Sequence, residues 1–276
     1  MIFRDRKIVS FSGYCPLNCK HCYTYELPLQ NGKNDLGEIP DIVESLADAD
    51  DFDVIYVSRS RENFIDETAG AKLLESLYEA YHKPMLVITR KDLSNLCIER
   101  LAKLNKKMKQ EERLLTVAVS VPANKSYCIT EDAKCVVEPE SRCMVLKHLH
   151  EAGIHTIFMA RPVFPREIIP TTEIVDLIVR YAPNIDAVVA SGLAINKHIL
   201  QRLKMKREAF RYLSGNHAEF LIGSQAENIE YIDVSNELSE IQHCCGKLNI
   251  PFSTHSMEAL NSIMRLEEKA LRQGLA

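Results

Sequence analysis

The sequence predicts an α/β protein in which six βα units form a partial (β/α)6 barrel. Short runs rich in β-branched residues alternate with stretches of helical periodicity, which is the pattern of repeated βα units around a parallel sheet. The chain has 276 residues, of which 46% are hydrophobic and 26% are charged, an ordinary globular composition. Single α/β barrels often run past about 200 residues, so this length fits one domain.

Each predicted strand is a short apolar run that is followed by a helical pattern or a loop. Apolar residues at helical spacing predict helices within residues 39–47, 73–81, 93–104, 145–150 and 174–181. Just past the fourth of these helices, a glycine occupies the place of a C-terminal helix cap. The glycine is Gly153, and the six predicted strands are residues 7–12, 54–58, 85–89, 114–121, 156–160 and 187–190.

Beyond the sixth strand the alternation weakens. We expect residues 1–195 to form the barrel core and residues 196–276 to form an extension packed on it, within a single structural domain. A basic helix is predicted over residues 197–212, and a hairpin or strand pair over residues 220–234. A final amphipathic helix is predicted over Ser256–Arg272. Because unpaired sheet edges are usually covered, its apolar face is expected to cover the open edge of the barrel. That face consists of Leu260, Ile263, Met264 and Leu271.

Charge and hydropathy narrow the classes of protein. The chain carries 34 basic and 38 acidic residues, and this net charge of −4 does not point to a polyanionic partner for the chain as a whole. Residues 100–113 and 197–211 are nevertheless basic enough to contact a phosphate backbone, although tryptophan, a strong stacking side chain, is absent. With no secretory signal and no apolar run near the roughly 20 residues of a membrane helix, we expect a soluble, cytoplasmic protein without a membrane partner.

Nine cysteines are the unusual part of the composition. In a reducing compartment, cysteine clusters more often bind metal or react than form disulfides. Cys15, Cys19 and Cys22 lie directly after the first strand in the run GYCPLNCKHCYTY. Thiolates select zinc, copper(I) or iron–sulfur clusters. Structural zinc needs four ligands, and His21 would strain the loop to become the fourth, whereas three thiolates would leave one iron of a cubane cluster open.

This run resembles the signature of the radical S-adenosylmethionine superfamily. The match combines the Cys-x3-Cys-x2-Cys spacing, the position after the first strand of a βα series and the tyrosine that follows Cys22. The superfamily usually has an aromatic residue where His21 stands, so the chain departs from the pattern there. The resemblance implies a partial (β/α)6 TIM barrel with its site at the carboxyl ends of the strands.

The resemblance also implies the cofactors and the chemistry. A [4Fe–4S] cluster would be held by Cys15, Cys19 and Cys22, and its open iron would bind the amino and carboxylate groups of S-adenosylmethionine. One electron from a reductant such as flavodoxin or ferredoxin would cleave S-adenosylmethionine to methionine and a 5′-deoxyadenosyl radical. That radical would abstract hydrogen from a substrate, and the protein would position the cofactor and exclude quenchers.

The stretch VVEPESRCMVLKHLHEAG and the proline-rich run that follows it to Pro165 resemble the spore photoproduct lyase-like branch of the superfamily. In such enzymes a carboxylate near this point can hold ribose hydroxyls and an arginine can pair with the methionyl carboxylate. The resemblance places these cofactor-binding roles on Glu138 and Arg142, which share one helical face. The alternative is an ordinary surface ion pair between the two.

Other strand ends supply further cofactor-binding candidates. The Gly-Gly-Glu-like turn that commonly binds the methionyl amino group in this superfamily is absent after the second strand, which leaves Ser58 and Ser60 as candidates there. Arg90, Ser120 and Arg161 end the third, fourth and fifth strands and are expected to point toward the mouth of the barrel. Arg161 would hold an anionic substrate group or, alternatively, form an interstrand ion pair.

The remaining cysteines are less specific. Tyr127 or Cys128 is a candidate catalytic hydrogen-atom donor, a role that a cysteine plays in spore photoproduct lyase. A second cluster is an alternative for the cysteines outside the triplet, but buried cysteine is often simple packing, as we expect for Cys97. The other cysteines considered for a second cluster are Cys135, Cys143, Cys244 and Cys245.

The substrate is not fixed by these motifs, and a nucleic acid, a peptide or a small molecule all remain open. One alternative is repair or modification of a DNA or RNA lesion of the spore photoproduct lyase type, and another is a peptide-modifying maturase. A different class of protein would use Cys15, Cys19 and Cys22 in a non-catalytic iron–sulfur or zinc site.

Overall fold

The computed structural model describes residues 3, 5–11, 15–22, 37–47, 51–57, 61–213 and 230–272. Seven parallel strands form one open sheet in the order β1-β2-β3-β4-β5-β6-β9, and β7 and β8 form a separate antiparallel pair. Among the described residues no pairing joins β1 to β9, so the sheet is a partial barrel, as predicted. The strands are β1 Arg6–Val9, β2 Val54–Val57, β3 Met85–Thr89, β4 Leu115–Ser120, β5 His155–Val163, β6 Ala187–Gly192, β7 Ala194–Ile195, β8 Glu230–Tyr231 and β9 Phe252–Ser253.

Helices connect the strands, and local sequence fixes several of their ends. The Asp66 side chain accepts the N–H groups of Thr68 and Ala69 at the start of α2, and the Ser94 hydroxyl caps α3. Gly153 has φ +75° just beyond α5, as a C-terminal glycine cap requires. The described helices are α1 Ile39–Glu44, α2 Glu67–Tyr81, α3 Asn95–Gln110, α4 Tyr127–Thr130, α5 Pro139–Glu151, α6 Thr171–Tyr181, α7 Lys197–Leu203, α8 Ser235–Lys247 and α9 Ser256–Arg272.

Alternation along the strands divides the core into two layers. Ile55 and Val57 face the layer that the outer helices cover, whereas Val54 and Tyr56 face the inside of the barrel. Both faces are apolar, which is why the strands appear in the sequence as continuous hydrophobic runs. All six strands predicted for the barrel are present, and the predicted α/β class is confirmed.

The last helix, α9, has the predicted bounds. Ala259, Leu260, Ile263 and Met264 are buried against the inner face of the sheet, and the helix also contacts the edge strands β6 and β9. The Asn261 side chain fixes this placement, because it accepts the backbone N–H of residue 3 at 2.7 Å and donates to its carbonyl at 3.0 Å. The edge is extended by β9, which pairs with β6 and was too short to be foreseen.

Two expectations for the extension change. The predicted helix over residues 197–212 ends at Leu203, because Lys204 adopts a left-handed conformation with φ +55°. The described end of the predicted hairpin, Glu230–Tyr231, pairs with Ala194–Ile195, and residues 220–229 lie outside the described residues. In the part of the chain that is described, no helix is both long enough and apolar enough to span a membrane.

Candidate active site

A cavity of about 440 Å³ opens at the carboxyl ends of the parallel strands. The ends of β3 to β6 form its floor, where Ile88, Ser120, Arg161 and Ser191 face it. The C-terminal extension supplies another wall through β8, α8 and the start of α9. Parallel barrels carry their sites at this edge, so the cavity is the natural candidate site. Its lining from the loop after β1 includes Cys15, Leu17, Cys19, His21 and Cys22.

The three predicted metal ligands therefore share one cavity. Cys19 is buried, Cys15 and Cys22 are half-buried, and all three pack with Leu17 and Val136 in a small apolar cluster. The loop turns on itself through a hydrogen bond from the Cys22 N–H to the Cys19 carbonyl at 3.0 Å. None of the nine cysteines, all of which lie among the described residues, forms a disulfide.

A second segment, which includes α4, holds the cysteine loop from one side. The backbone N–H of Lys20 donates to the Thr130 carbonyl at 2.9 Å, and the His21 Nδ1 lies 3.1 Å from the same oxygen. Burial, followed by the charge of Arg90, lowers the pKa of His21 well below its usual value, so a neutral ring donates this bond. The Lys20 Nζ donates to the Cys128 carbonyl at 2.7 Å.

The extension holds the same loop from the other side. Arg202 of α7 donates from Nε to the Lys20 carbonyl at 3.0 Å and from one terminal nitrogen to the Cys22 carbonyl at 2.7 Å. One guanidinium thus fixes two backbone oxygens of the cysteine loop. The loop is positioned by parts of the chain more than 100 residues away, a preorganisation that metal sites require of their surroundings.

Burial shapes the electrostatics of two of the three thiols, Cys15 and Cys19. Burial raises the pKa of Cys19 to about 12, partly offset by Arg90, and burial also raises the pKa of Cys15. A bound metal deprotonates its thiol ligands, so metal binding here would release protons. Burial alone would lower the pKa of Arg90, but Cys19 and Glu131 outweigh it and raise that pKa.

A buried charge network lies beneath the cysteine loop. The Glu131 carboxylate is inaccessible to solvent and pairs with two arginines, Arg90 at 2.5 Å and Arg142 at 2.5 Å. Arg90 also donates to the Cys19 Sγ at 3.6 Å, and Arg142 donates to the Ser120 carbonyl at 2.8 Å. Buried charges are tolerated only when they are paired in this way. The network links the third and fourth strand ends to the cysteine loop.

Glu62 is a second cavity residue that sequence reasoning missed. Its buried carboxylate accepts the Thr89 hydroxyl at 3.0 Å and the Arg90 N–H at 2.7 Å, and it also accepts the Phe64 N–H at 3.0 Å. Burial raises its pKa in spite of these bonds. The signal available in the sequence is an acidic residue five residues after the end of β2, close to the point at which a Gly-Gly-Glu-like turn is absent.

The cofactor-binding candidates separate into three groups. Ser120 and Arg161 line the cavity, as expected for strand ends. The Arg161 guanidinium donates to the Thr254 carbonyl and to the Ser256 Oγ. Ser58 and Ser60 lie outside the described residues.

Glu138 and Arg142 are not among the described residues that line the cavity, and they do not form the surface ion pair considered as an alternative. Arg142 is fully buried, because its guanidinium turns inward to Glu131, whereas Glu138 is exposed at the start of α5. Helical spacing placed the two residues on one side of the helix but could not foresee the partner eleven residues earlier.

The remaining candidates lie apart from the cavity lining. Tyr127 and Cys128 are in α4, and Cys128 is exposed. Cys97 is buried in the core, as expected. Of the cysteines considered for a second cluster, Cys135 is exposed, while Cys143, Cys244 and Cys245 are buried in α5 and α8.

The cysteine triplet has the donor chemistry of an iron–sulfur site. A single zinc ion draws its sulfur ligands to about 2.3 Å from one point. Among the described residues, no group of three or more His, Cys, Asp or Glu side chains is placed to hold one metal ion. A multi-iron cluster makes a different demand, because each thiolate binds its own iron. Three soft thiols on one cavity wall, with an arginine N–H directed at one sulfur, fit such a cluster.

Comparison with known proteins identifies the fold. A spore photoproduct lyase variant with bound AdoMet and dinucleoside spore photoproduct superposes with a TM-score of 0.60 at 11% identity, over 89% of this chain and 75% of that chain. The chain has the fold of spore photoproduct lyase. A second structure of spore photoproduct lyase, complexed with dinucleoside spore photoproduct, gives a TM-score of 0.56 at 13% identity over 86% of this chain and 71% of that one.

The same fold occurs in SuiB of Streptococcus suis, with a TM-score of 0.58 at 16% identity over 92% of this chain and 50% of that chain. No protein-family model and no curated protein sequence matches the chain. The chain therefore shares its fold with spore photoproduct lyase and SuiB at identities of 11% to 16%.

Proposed function

We propose that the protein is a radical S-adenosylmethionine enzyme. The observation that carries this proposal is the placement of Cys15, Cys19 and Cys22 on one wall of the cavity at the carboxyl edge of a spore photoproduct lyase-like barrel. These thiols would hold a [4Fe–4S] cluster, and S-adenosylmethionine would occupy the cavity beside it. When both are bound, they supply reductive cleavage of the sulfonium and a 5′-deoxyadenosyl radical that abstracts hydrogen from a substrate.

The chain's own residues would bind and orient the cofactors. Arg202 and the segment around Thr130 hold the cysteine loop in place through hydrogen bonds to its backbone. Ser120 is 2% exposed, and its hydroxyl has no hydrogen-bond partner among the described residues although it faces the cavity. A bound S-adenosylmethionine would supply that missing partner. Arg161, and Ser58 and Ser60 after β2, remain our candidates for other polar groups of the cofactor.

The proposal includes four finer assignments. Arg142 would act on S-adenosylmethionine only through Glu131 and Ser120, because it reaches the cavity floor through those partners. Glu138, exposed at the start of α5, would act only if the cofactor extends beyond the cavity lining. Tyr127 or Cys128 would donate a hydrogen atom only if substrate extends beyond the cavity toward α4. A flavodoxin or ferredoxin would supply the electron in a reducing cytoplasm, where the nine cysteines would also stay reduced.

Anaerobic reconstitution tests the proposal directly. Wild-type protein should become brown and bind about four irons per chain, and Cys19→Ala should lose the cluster. With dithionite and S-adenosylmethionine, only the wild type should form methionine and 5′-deoxyadenosine. Cys97→Ala is the matched control, because Cys97 is also buried but packs in the helical core. Colourless protein that retains zinc, or equal product from wild type and Cys19→Ala, would refute the proposal.

A nucleic-acid lesion is the substrate class with a specific observation in its favour. The described lining of the cavity includes four arginines, Arg6, Arg61, Arg90 and Arg161, against one carboxylate, Glu62. An anionic substrate suits this balance, and both spore photoproduct lyase structures described above contain dinucleoside spore photoproduct. Binding of irradiated and unirradiated DNA at 50 and 200 mM salt tests it, and a salt-insensitive or absent interaction would favour a peptide or small molecule.

A further inference from the structure

We propose that Arg90 and Glu131 are positioning residues of opposite effect that together set the reduction potential of a cluster held by Cys15, Cys19 and Cys22, an inference that rests on the proposed function. Arg90 would raise the potential through its hydrogen bond to the Cys19 sulfur. Glu131 would lower it by neutralising Arg90 and by adding a buried negative charge.

The contacts come from one guanidinium. The same terminal nitrogen of Arg90 lies 3.6 Å from the Cys19 Sγ and 2.5 Å from the Glu131 Oε1. The other terminal nitrogen donates to the Arg161 carbonyl at 3.3 Å. Both terminal nitrogens of the Arg90 guanidinium therefore have acceptors, which fixes the orientation of the N–H that points toward the Cys19 sulfur. Arg90 is 17% exposed and Glu131 is completely buried, so water screens these charges weakly.

Glu131 is itself held on its far side. The Arg142 guanidinium contacts both carboxylate oxygens, at 3.2 and 2.5 Å, and also donates to the Ser120 carbonyl. The carboxylate therefore cannot swing away from Arg90 without leaving Arg142 unpaired in the core. A fixed charge of each sign at a defined distance from a ligand sulfur is the arrangement that tunes a metal site.

The expected sign of each effect follows from charge. Reduction adds one electron from a low-potential donor of the flavodoxin or ferredoxin class and takes the cluster core from 2+ to 1+, with no bond broken. Hydrogen bonds to the sulfurs and nearby positive charge stabilise the more negative, reduced state, while nearby negative charge destabilises it. Loss of the Arg90 charge should make the cluster harder to reduce. Loss of the Glu131 charge should make it easier to reduce.

A potentiometric titration followed by the electron paramagnetic resonance signal of the reduced cluster tests this in reconstituted full-length protein. At a fixed applied potential, Arg90→Gln should decrease the ratio of reduced to oxidised cluster about tenfold, which is 59 mV for one electron. Glu131→Gln should increase the ratio by a similar factor. Arg90→Lys keeps the positive charge but loses the two-pronged guanidinium geometry. It should change the ratio in the same direction as Arg90→Gln, but by a smaller factor.

Arg100→Gln is the matched control, because Arg100 forms an Arg–Glu pair with Glu75 at 2.6 Å on the surface between α2 and α3, away from the cavity lining. The reduction potential of the cluster in Arg100→Gln should equal that in the wild type. If Arg90→Gln holds no cluster, the comparison of Arg90→Lys with Glu131→Gln decides the question.

Shifts of the same sign in the Arg90 and Glu131 variants would overturn the inference, and so would unchanged potentials with a weakened binding of S-adenosylmethionine. A wild type that forms no cluster would instead defeat the proposed function, so the two failures are distinguishable.

Discussion

The two ends of the barrel carry charge networks of opposite composition. At the carboxyl edge, two arginines share the single carboxylate of Glu131, and Glu131 and Arg142 are inaccessible to solvent. At the amino end, His155 lies between the carboxylates of Asp186 and Glu267, with 16%, 21% and 24% of these side chains exposed.

The contrast shows how placement decides the role of a charge. The buried network at the carboxyl edge has no water to replace a lost partner, and it touches a cysteine sulfur and the cavity floor. The partly exposed network at the amino end joins β5 to the last helix, α9, and contains a histidine between two carboxylates. In parallel barrels the first edge serves function and the second serves stability.

The largest difference between the two ends should appear when one partner is removed. Glu131→Ala leaves the fully buried Arg142 without its carboxylate, and we expect a loss of about 3 to 5 kcal/mol in the free energy of unfolding. Glu267→Ala leaves partners that water can reach and should cost about 1 kcal/mol or less. Urea denaturation of the cluster-free protein measures both.

A double variant sharpens this comparison. Glu131→Leu with Arg142→Met removes both buried charges, so it should be less destabilised than Glu131→Ala alone. Equal losses of unfolding free energy for Glu131→Ala and Glu267→Ala would show that removing a partner from the buried network costs no more than removing one from the network at the amino end.

The next largest effect tests the inner position of α9. Leu260 is completely buried against the inside of the sheet, so Leu260→Ala should cost about 2 to 5 kcal/mol. Leu266 lies on the same helix but is 51% exposed, and Leu266→Ala should change stability by less than about 0.5 kcal/mol. Similar losses from both variants in thermal and urea unfolding would contradict the burial of Leu260 against the inside of the sheet.

The elements that sequence reasoning found correctly are those with a local signal. The β-branched runs that form β3 and β4 and the spacing of Cys15, Cys19 and Cys22 depend only on neighbouring residues. The bounds of α9 were also foreseen, because its apolar face repeats at helical spacing. The fold class followed from the alternation of these elements.

The features that were missed depend on pairs far apart in the chain. Glu131 lies outside any periodic segment, and its partners are 41 and 11 residues away. Arg202 reaches the cysteine loop across 180 residues, and it stood in the sequence only as one member of a basic run. The two-residue strand Phe252–Ser253 is too short to show a period. Side-chain burial and long-range pairing determine such contacts, and local sequence patterns predict neither of them.

A smaller effect at the amino end should depend on pH. Burial alone would lower the pKa of His155, but the hydrogen bond and charge of Asp186, together with Glu267, outweigh it and raise the pKa above the usual 6.5. The charged imidazole therefore stabilises the fold fully below about pH 6.5, and this contribution is lost as the pH rises through the raised value.

His155→Gln should accordingly reduce the free energy of unfolding by about 1.5 to 3 kcal/mol at pH 6 and by less at pH 9. His243, an exposed residue of α8, supplies the control, since His243→Gln should behave like wild type at both values. His150, which also approaches Asp186 at 3.7 Å, is left unchanged in these variants so that its contribution cancels. A loss that grows between pH 6 and pH 9 would contradict the assigned direction.

The smallest expected effect concerns two residue pairs with i,i+4 spacing, one within α5 and one at its start. Lys147 and Glu151 form an i,i+4 pair at 3.9 Å with about half of each side chain exposed, whereas Glu138 and Arg142 have the same spacing but do not pair. Lysine precedes glutamate, which is the weaker order in a helix, so Lys147→Ala should cost only about 0.2 to 0.5 kcal/mol and nothing in 1 M salt.

Arg142→Ala, by contrast, should keep its large destabilisation in 1 M salt, because its partner Glu131 is buried beyond the reach of screening ions. Unfolding of both variants at low and high salt separates the cases. Spacing alone predicts a similar salt response for the two positions, so a surviving Arg142 effect beside a vanished Lys147 effect would show that burial, rather than helical register, determines what an ion pair contributes here.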